Sequence, residues 1–564
     1  MTTVERLRMI LQERFGFSEF RGPQQEIVLH VANGGSALVI MATGDGKSRC
    51  SPLPALANDG LTIVVSPLIA LMDDQVAALQ AKGIEATAIH SMLDASTRRR
   101  RLDDALQGRV KLLYCTPERF RVDGFLDAMR ALGVARLAID EAHCVSQWGH
   151  DFRPDYARLG ELRRALGEPP VVALTATATP AVLQDIRSVL RLDDAPLWHS
   201  GVGRDNRFRT VSELQRAEDT RPRLRDVIDR VGGPGIVYFA LIKDLLQTED
   251  ALRRDGYRPL VYHGKLSASE RREQQQRFVA SPNALVLATN AFGMGVDKPD
   301  IRFIVHWQVP RTLEAYYQEV GRAGRDGQSS WCELLFFDED VAIQREFTEW
   351  ANPDQDFLRQ VVQVLEGLGE RRDVFDVQDL RQTLLVKNRR DGRIETCLRL
   401  LRVAGCIDGE LGSADFGWRR RPTDAEIEAW LPTDKRARDL GGLLEIVRYA
   451  TGQGCRKDAI HTYFGFADEF PGGCGACDAE VDPQQWLAAR HRAEQPIPRE
   501  EPRLGEAGSV VERGDWIDVK GHGLCAVVRV HRSPRGTRVD VERARDLRQM
   551  SFDLGRITWN KVES

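Results

Sequence analysis

No apolar run in this 564-residue chain approaches the ~20 residues that a bilayer-spanning helix needs. Its first stretch, Met1 to Arg14, is charged and helix-patterned, unlike a signal peptide. The expectation is a cytoplasmic protein with no membrane partner. Charge of one sign is also scarce: the formal net charge is −4, so bulk electrostatics cannot hold nucleic acid and any such binding must rest on local basic patches. Cysteine pairing patterns are missing too. Of ten cysteines only Cys455, Cys474 and Cys477 group. In a reducing compartment that grouping favours a metal over disulfides, while Cys50, Cys115, Cys144 and Cys332 sit in apolar contexts expected to be core. There is no long polar tract. With 42% hydrophobic and 29% charged residues the composition is that of a globular protein, and the length implies about three to five domains.

What is present is a regular alternation. Residues 1 to about 205 alternate short apolar runs (Ala37 to Met41, Leu61 to Val65, Val110 to Tyr114, Ala135 to Ile139, Val171 to Leu174) with helical patterns. Runs of that length, unbroken by polar residues, predict parallel strands covered by helices on both faces. The first run feeds Thr43-Gly44-Asp45-Gly46-Lys47-Ser48. Glycines let backbone N–H groups close around phosphate oxygens, Lys47 can reach β and γ phosphates, and Ser48 can ligate Mg²⁺. The first glycine of the common spacing is replaced by Met41.

The second chemical stretch starts where the Ala135 to Ile139 run ends, with Asp140 and Glu141. Strand carboxyl ends face the ligand crevice in open α/β sheets. Asp140 is suited to hold Mg²⁺, and Glu141 to orient or deprotonate an attacking water in phosphoryl transfer. A loop carrying Trp148, Phe152, Arg153 and Tyr156 follows. Aromatic faces with an interleaved arginine suit stacking on unpaired bases.

Met41 to Ser48, Asp140 to His143 and Thr175-Ala176-Thr177 resemble the nucleotide motifs of superfamily-two helicases. The loop Cys144 to Tyr156 narrows the resemblance to the RecQ family of DNA helicases. Phe20-Arg21-Gly22-Pro23-Gln24-Gln25-Glu26 is similar to that family's adenine-reading motif, with Gly and Pro exchanged in order, and the role carries over to Gln24. Ser66-Pro67-Leu68 and Thr116-Pro117-Glu118 resemble its strand-contacting motifs, and Tyr262-His263-Gly264 is similar to another motif of the family.

Arg204-Asp205-Asn206-Arg207 looks like the family's crossing into a second RecA-like lobe, and strands are predicted again at Gly235 to Phe239, Pro259 to Tyr262, Ala284 to Ala288, Phe303 to Trp307 and Glu333 to Phe337. The segment Tyr316 to Gly327 places Arg322 and Arg325 three apart on one helix face. An arginine reaching across a cleft can stabilise charge on a transferring phosphoryl group. By resemblance Arg325 is that finger and Arg322 a phosphate or coupling contact.

Beyond the two lobes the resemblance thins. Helical patterns at Asp356 to Gly369, Val377 to Leu385 and Ile394 to Val403, then a Gly-rich, aromatic segment to Trp418, suggest a winged helix. Lys387, Arg389, Arg390, Arg393, Arg419, Arg420 and Arg421 would give it a phosphate-contacting face. In the RecQ family the winged helix usually follows the zinc module, whereas here it precedes it, so where the strand-separating wedge lies stays open. Cys455, Cys474 and Cys477 suit tetrahedral Zn²⁺. The family's fourth cysteine falls on Glu480; Asp478 and His461 are other ligands open to the site, and a metal-free module is the alternative. Residues 486–508, rich in charge and Pro, read as a linker, and the tail alternates like a small β-barrel.

The expected architecture is α/β: two RecA-like lobes at 1–205 and 206–345, a winged-helix-like module at 352–432, a zinc-type module at 433–485, a linker at 486–508 and a β-barrel at 509–564. The resemblance implies a monomeric, nucleoid-associated, bacterial-type DNA helicase using ATP and Mg²⁺, with structural Zn²⁺. It would move 3′ to 5′ on single-stranded and partly duplex DNA in repair or recombination, with a protein partner open for the barrel. An ATP-driven translocase without unwinding and a DNA-binding regulator with an inert motor are the competing classes.

Overall fold

Seven short strands build the first sheet: β1 (Ala37–Ile40), β2 (Thr62–Val65), β3 (Ala86–Ile89), β4 (Leu112–Cys115), β5 (Arg136–Ile139), β6 (Val171–Thr175) and β7 (Leu197–His199). The computed structural model describes residues 2–42, 44, 46–146, 153–201, 203–293, 296, 298–368, 375–385, 391–409, 411–413, 415–431, 434–467, 473–490, 511, 515–533, 536–543, 549–554 and 559–562. The strand order is β3-β4-β2-β5-β6-β1-β7, and every pairing is parallel. Alternate side chains enter opposite cores. Leu38 and Ile40 of β1 join one cluster with Ile139 and Phe125, while Ala37 and Val39 join the other with Met72 and Tyr114. Burial on both faces is why these strands read as unbroken apolar runs. β3 (Ala-Thr-Ala-Ile) and β7 escape sequence detection because neither has such a run.

The second sheet holds β8 (Arg207–Glu213), β9 (Gly235–Phe239), β10 (Leu260–Tyr262), β11 (Leu285–Thr289), β12 (Phe303–His306) and β13 (Ser330–Phe336), in the order β10-β11-β9-β12-β13-β8. β10 to β13 pair in parallel through β9. These are two RecA-like lobes. β8 is not legible as a strand because it carries Arg207 and Arg209, and both are buried.

By internal packing the chain divides into two compact units. The larger joins both lobes with residues 453–564; the smaller comprises residues 309–316 and 336–452. In the smaller unit, helices Gln355–Gly367, Val377–Leu384 and Arg393–Val403 pack round Phe357, Leu365, Ile394 and Leu401, followed by the antiparallel pair β14 (Ile407–Asp408) and β15 (Gly417–Trp418). Side-chain caps fix the helix starts: Asp354 accepts from Phe357 N at 2.7 Å, and Asp376 forms a capping box with Asp379.

The last sheet is antiparallel: β16 (Trp516–Val519), β17 (Gly523–Ser533), β18 (Gly536–Arg543), β19 (Gln549–Asp553) and β20 (Trp559–Val562), in the order β19-β18-β17-β16-β20. Among the described residues its edge strands β19 and β20 do not pair with each other, and the sheet packs around Ile517, Val519, Val527, Val539 and Val541. Among the described residues, no helix is long and apolar enough to cross a membrane.

Candidate active site and cysteine cluster

The carboxyl ends of β1 and β5 bring the phosphate loop and the acidic pair together. Gly44 and Gly46 take φ of 92° and 91°, a conformation that side chains with a Cβ rarely adopt. Lys47 follows, and its Nζ lies 3.1 Å from Glu141 Oε1 and 3.9 Å from Asp140 Oδ1. Asp140 is tied to the sheet by its own N–H donating to Val65 O at 2.9 Å, and its carbonyl accepts from Tyr156 Oη at 3.2 Å. Glu141 is one of three non-glycine residues with positive φ (48°) among the described residues, strain that a tightly packed site can hold.

Electrostatics separates the two acids. Burial works against the Lys47 ammonium, but the facing Glu141 and Asp140 outweigh it and raise its pKa. Burial raises Asp140, against the pull of Lys47. For Glu141 burial also acts upward, but Lys47 and then His143 hold the carboxyl below its ordinary range. The two carboxyls are thus pushed in opposite directions, Asp140 upward by burial and Glu141 downward by Lys47 and His143.

Gln24, buried at the start of the helix Gln24–Ala32, donates from Nε2 to Gly46 O at 3.0 Å and accepts from Arg21 N at 2.9 Å. Gln24 thereby ties the start of this helix to the phosphate loop. Ser48 is exposed beside Lys47; Thr43 and Asp45 lie outside the described residues.

A relay leads away from Glu141. His143 Nδ1 lies 3.3 Å from Glu141 Oε2 and 2.9 Å from Thr175 Oγ1. Thr175 Oγ1 donates to Thr177 O at 2.9 Å, and Gln318 Nε2 of the second lobe reaches Thr177 Oγ1 at 3.4 Å. In the aromatic loop, Arg153 Nη1 donates to Pro67 O at 2.7 Å, so the loop's exit grips the Ser66-Pro67-Leu68 segment. Trp148 and Phe152 lie outside the described residues.

The two arginines of the second lobe separate. Arg322 is buried with Nη2 against Gly293, where a methyl group would lie 3.0 Å away. Arg325 runs along the phosphate loop instead: a methyl group on Gly44 would lie 3.1 Å from its Cγ, and Nη1 donates to Val296 O at 3.2 Å. The same methyl group would lie 2.5 Å from Arg204 Nη2, a residue that motif reading assigned only to the crossing between lobes. Its signal, a second arginine in the crossing segment, was there to be weighed.

The cysteine grouping closes on Glu480. Among the described residues, one ligand atom from each of Cys455, Cys474, Cys477 and Glu480 lies within 4.8 Å of the others. Tetrahedral zinc with Zn–S of ~2.3 Å sets sulfurs roughly 3.8 Å apart, so the set fits a four-coordinate ion. A hydrogen bond from Cys474 holds the Cys477 thiol down at about 6, which suits a thiolate ligand. Glu480 Oε2 accepts from Cys474 N and Gly475 N, each at 2.7 Å. Asp478 is engaged elsewhere, with Arg456 Nε at 2.8 Å and Val211 N at 2.8 Å, and His461 stands outside the group. Arg209 and Cys477 form a parallel bridge, which fastens the cluster to β8 at the edge of the second sheet.

In the smaller unit the basic residues expected to face phosphates are turned onto carboxylates. Arg393 meets Asp391 at 2.6 Å and stacks on Phe357, Arg419 pairs with Asp408, Arg420 with Glu426 at 2.7 Å and Arg421 with Glu366 at 3.3 Å. These four arginines are thus each matched by a carboxylate among the described residues. Lys387, Arg389 and Arg390 lie outside the described residues.

Comparison with known proteins bears on the same segments. Residues 21–186 match the DEAD/DEAH box helicase family and residues 220–327 the helicase conserved C-terminal domain. The probable ATP-dependent DNA helicase RecS of Bacillus subtilis is 39% identical over 382 residues, 67% of this chain and 76% of that protein. The ATP-dependent DNA helicase RecQ of the same organism is 42% identical over 370 residues, 64% of this chain but 62% of its own length. RecQ of Haemophilus influenzae is 40% identical over 363 residues, 64% of this chain and 58% of that protein. A crystal structure of the DUF1998 helicase MrfA bound to DNA and AMPPNP shares the fold, with a TM-score of 0.50, 19% identity and cover of 61% of this chain and 52% of that one. The likeness runs through both lobes, and the chain belongs to the RecQ family of superfamily-two ATP-dependent DNA helicases, as an ATP-hydrolysing helicase enzyme.

Proposed function

We propose that this chain couples ATP hydrolysis to 3′ to 5′ movement along single-stranded DNA and to duplex unwinding, acting as a monomer in DNA repair or recombination at the bacterial nucleoid. The observation that carries the reading is the convergence of Lys47, Asp140 and Glu141 within 4 Å on one lobe with Arg325 lying along Gly44 from the other. Lys47 would hold the β and γ phosphates, and Gln24 the base. Glu141, ionised, would orient the attacking water and accept its proton. Arg325 would neutralise charge on the γ-phosphoryl group as the lobes close, with Arg322 coupling that closure to the second lobe. Ser48 and Asp140 would hold Mg²⁺, which would supply positive charge against the phosphates when bound. Trp148, Phe152 and Arg153 would report strand occupancy through Pro67 and the acidic pair.

Cys455, Cys474, Cys477 and Glu480 would hold a structural Zn²⁺, which ties its four ligands into one fold unit when bound. Residues 352–432 are read as a winged-helix module and residues 509–564 as a barrel-like module open to a protein partner. One observation favours a second reading, a translocase that does not unwind. β14 and β15 are two residues each, and the arginines beside them are paired with carboxylates, which leaves little of a wedge there.

Strand displacement on 3′-tailed duplex, run beside DNA-stimulated ATP hydrolysis, tests both. Displacement that needs ATP and a 3′ tail is expected. Brisk DNA-stimulated hydrolysis with no displacement would select the translocase, and no DNA stimulation would sink both.

A further inference from the structure

Arg207 is fully buried at the first position of β8, and among the described residues it faces no carboxylate. Its fork meets backbone carbonyls instead. Nε donates to Ala323 O and Nη2 to Gly321 O, both at 2.9 Å. The preceding residue does the same further along: Asn206 Nδ2 donates to Gly324 O at 2.8 Å and to Gln328 O at 2.6 Å. Asn206 O accepts from Ser330 N at 2.9 Å, which seats the pair against β13. Four carbonyls between 321 and 328 are therefore held by two consecutive side chains, and Arg325 lies in the middle of that span.

Burying a guanidinium without a carboxylate is costly, since its desolvation is offset only by neutral acceptors. Burial pushes Arg207 down to about 9, which still leaves it charged at neutral pH. Carbonyls just past the end of the helix Leu313–Val320 carry partial negative charge, so they are the acceptors best able to hold that cation. Gly324 completes the fit: its φ is 59°, and a methyl group there would lie 2.5 Å from Asn206 Nδ2. Both clamp residues lie where the segment leaving β7 enters β8, the single covalent path from the first lobe to the second.

We propose that Asn206 and Arg207 are positioning residues for the reaction, holding the loop Gly321–Gln328 so that Arg325 lies along the phosphate loop. The clamp sits in the connector, so a change in lobe spacing is passed directly to the loop that carries Arg325. The proposal rests on the reading of Arg325 as the arginine that acts at the γ-phosphoryl group.

The test is steady-state ATP hydrolysis at saturating single-stranded DNA by the full chain carrying Asn206→Ala or Arg207→Lys. Lysine keeps the charge but cannot span two carbonyls. Each variant should lose about tenfold or more in kcat while KM for ATP and the Kd for single-stranded DNA change less than about twofold. Asn206→Ser, which keeps a short donor, should fall between parent and alanine, and remains informative if Arg207→Lys does not fold. On an Arg325→Ala background, Asn206→Ala should add less than about twofold, because both changes remove the same effect. Full, additive loss on that background, or parental kcat in both single variants, overturns the clamp. Parental kcat in Arg325→Ala alone overturns the reading of Arg325; a persisting loss in Asn206→Ala would then show a clamp acting on some other group and overturn this proposal separately.

Discussion

Replacing Lys47 by methionine separates the electrostatics of the site from its shape. Lys47 Nζ stands between Glu141 Oε1 and Asp140 Oδ1, and the three side chains are at most 20% exposed. Methionine keeps an unbranched chain of similar reach, so little cavity forms. What remains is two carboxylates facing each other with their cation gone. Removing one member of a buried charge group costs about 3–5 kcal/mol, and the residual exposure here points to the lower end. At ~2–4 °C per kcal/mol for a lobe of this size, the unfolding midpoint of the first lobe should fall by roughly 6–12 °C without nucleotide. The pH dependence fixes the cause. In the parent, Glu141 is held below its ordinary range, so its contribution is present above the unfolded value near pH ~4.3 and lost as pH falls through the folded one. Without Lys47 the folded carboxyls rise above the unfolded value, so the penalty is full at pH 7.5 and shrinks as the site takes up a proton. Scanning calorimetry should therefore show a wide gap between variant and parent at pH 7.5 and a narrow one at pH 5. An equal gap at both values, or a shift under about 2 °C at pH 7.5, would refute the reasoning.

Gly44→Ala should lower kcat for ATP hydrolysis by about 10²-fold or more. Its φ of 92° strains any Cβ, and the added methyl group displaces Arg204 and the Arg325 stem; a variant within threefold of the parent would count against Arg325 lying there during turnover. Trp148→Ala and Phe152→Ala should keep basal hydrolysis while losing strand displacement and most of the DNA stimulation, and near-normal displacement by both sinks the coupling role. Elemental analysis of purified protein should find one zinc per chain, reduced in Cys474→Ser, and a chelator that strips it should lower the unfolding midpoint. Protein free of zinc with an unchanged midpoint would leave the cluster metal-free.

Local chemistry was written in the sequence. Lys47 sits after an apolar run because a strand must deliver it to the sheet's carboxyl edge, and Asp140-Glu141 follows another run for the same reason. Such positions are covalent neighbours of strong periodic signals, so two RecA-like lobes could be named from pattern and resemblance. β8 was invisible by the same logic. Its buried arginines look like surface in a one-dimensional reading, and for Arg207 the carbonyls of residues 321 and 323 help to make that burial tolerable. The pairing of Arg421 was equally out of reach, since it finds Glu366 only when segments far apart in the chain pack. Sequence alone determined which residues could do chemistry and where strands would present them. The tertiary structure decided which of two arginines three residues apart lies along Gly44 and that Glu480 rather than Asp478 completes the cysteine cluster, because both depend on distances between segments far apart in the chain.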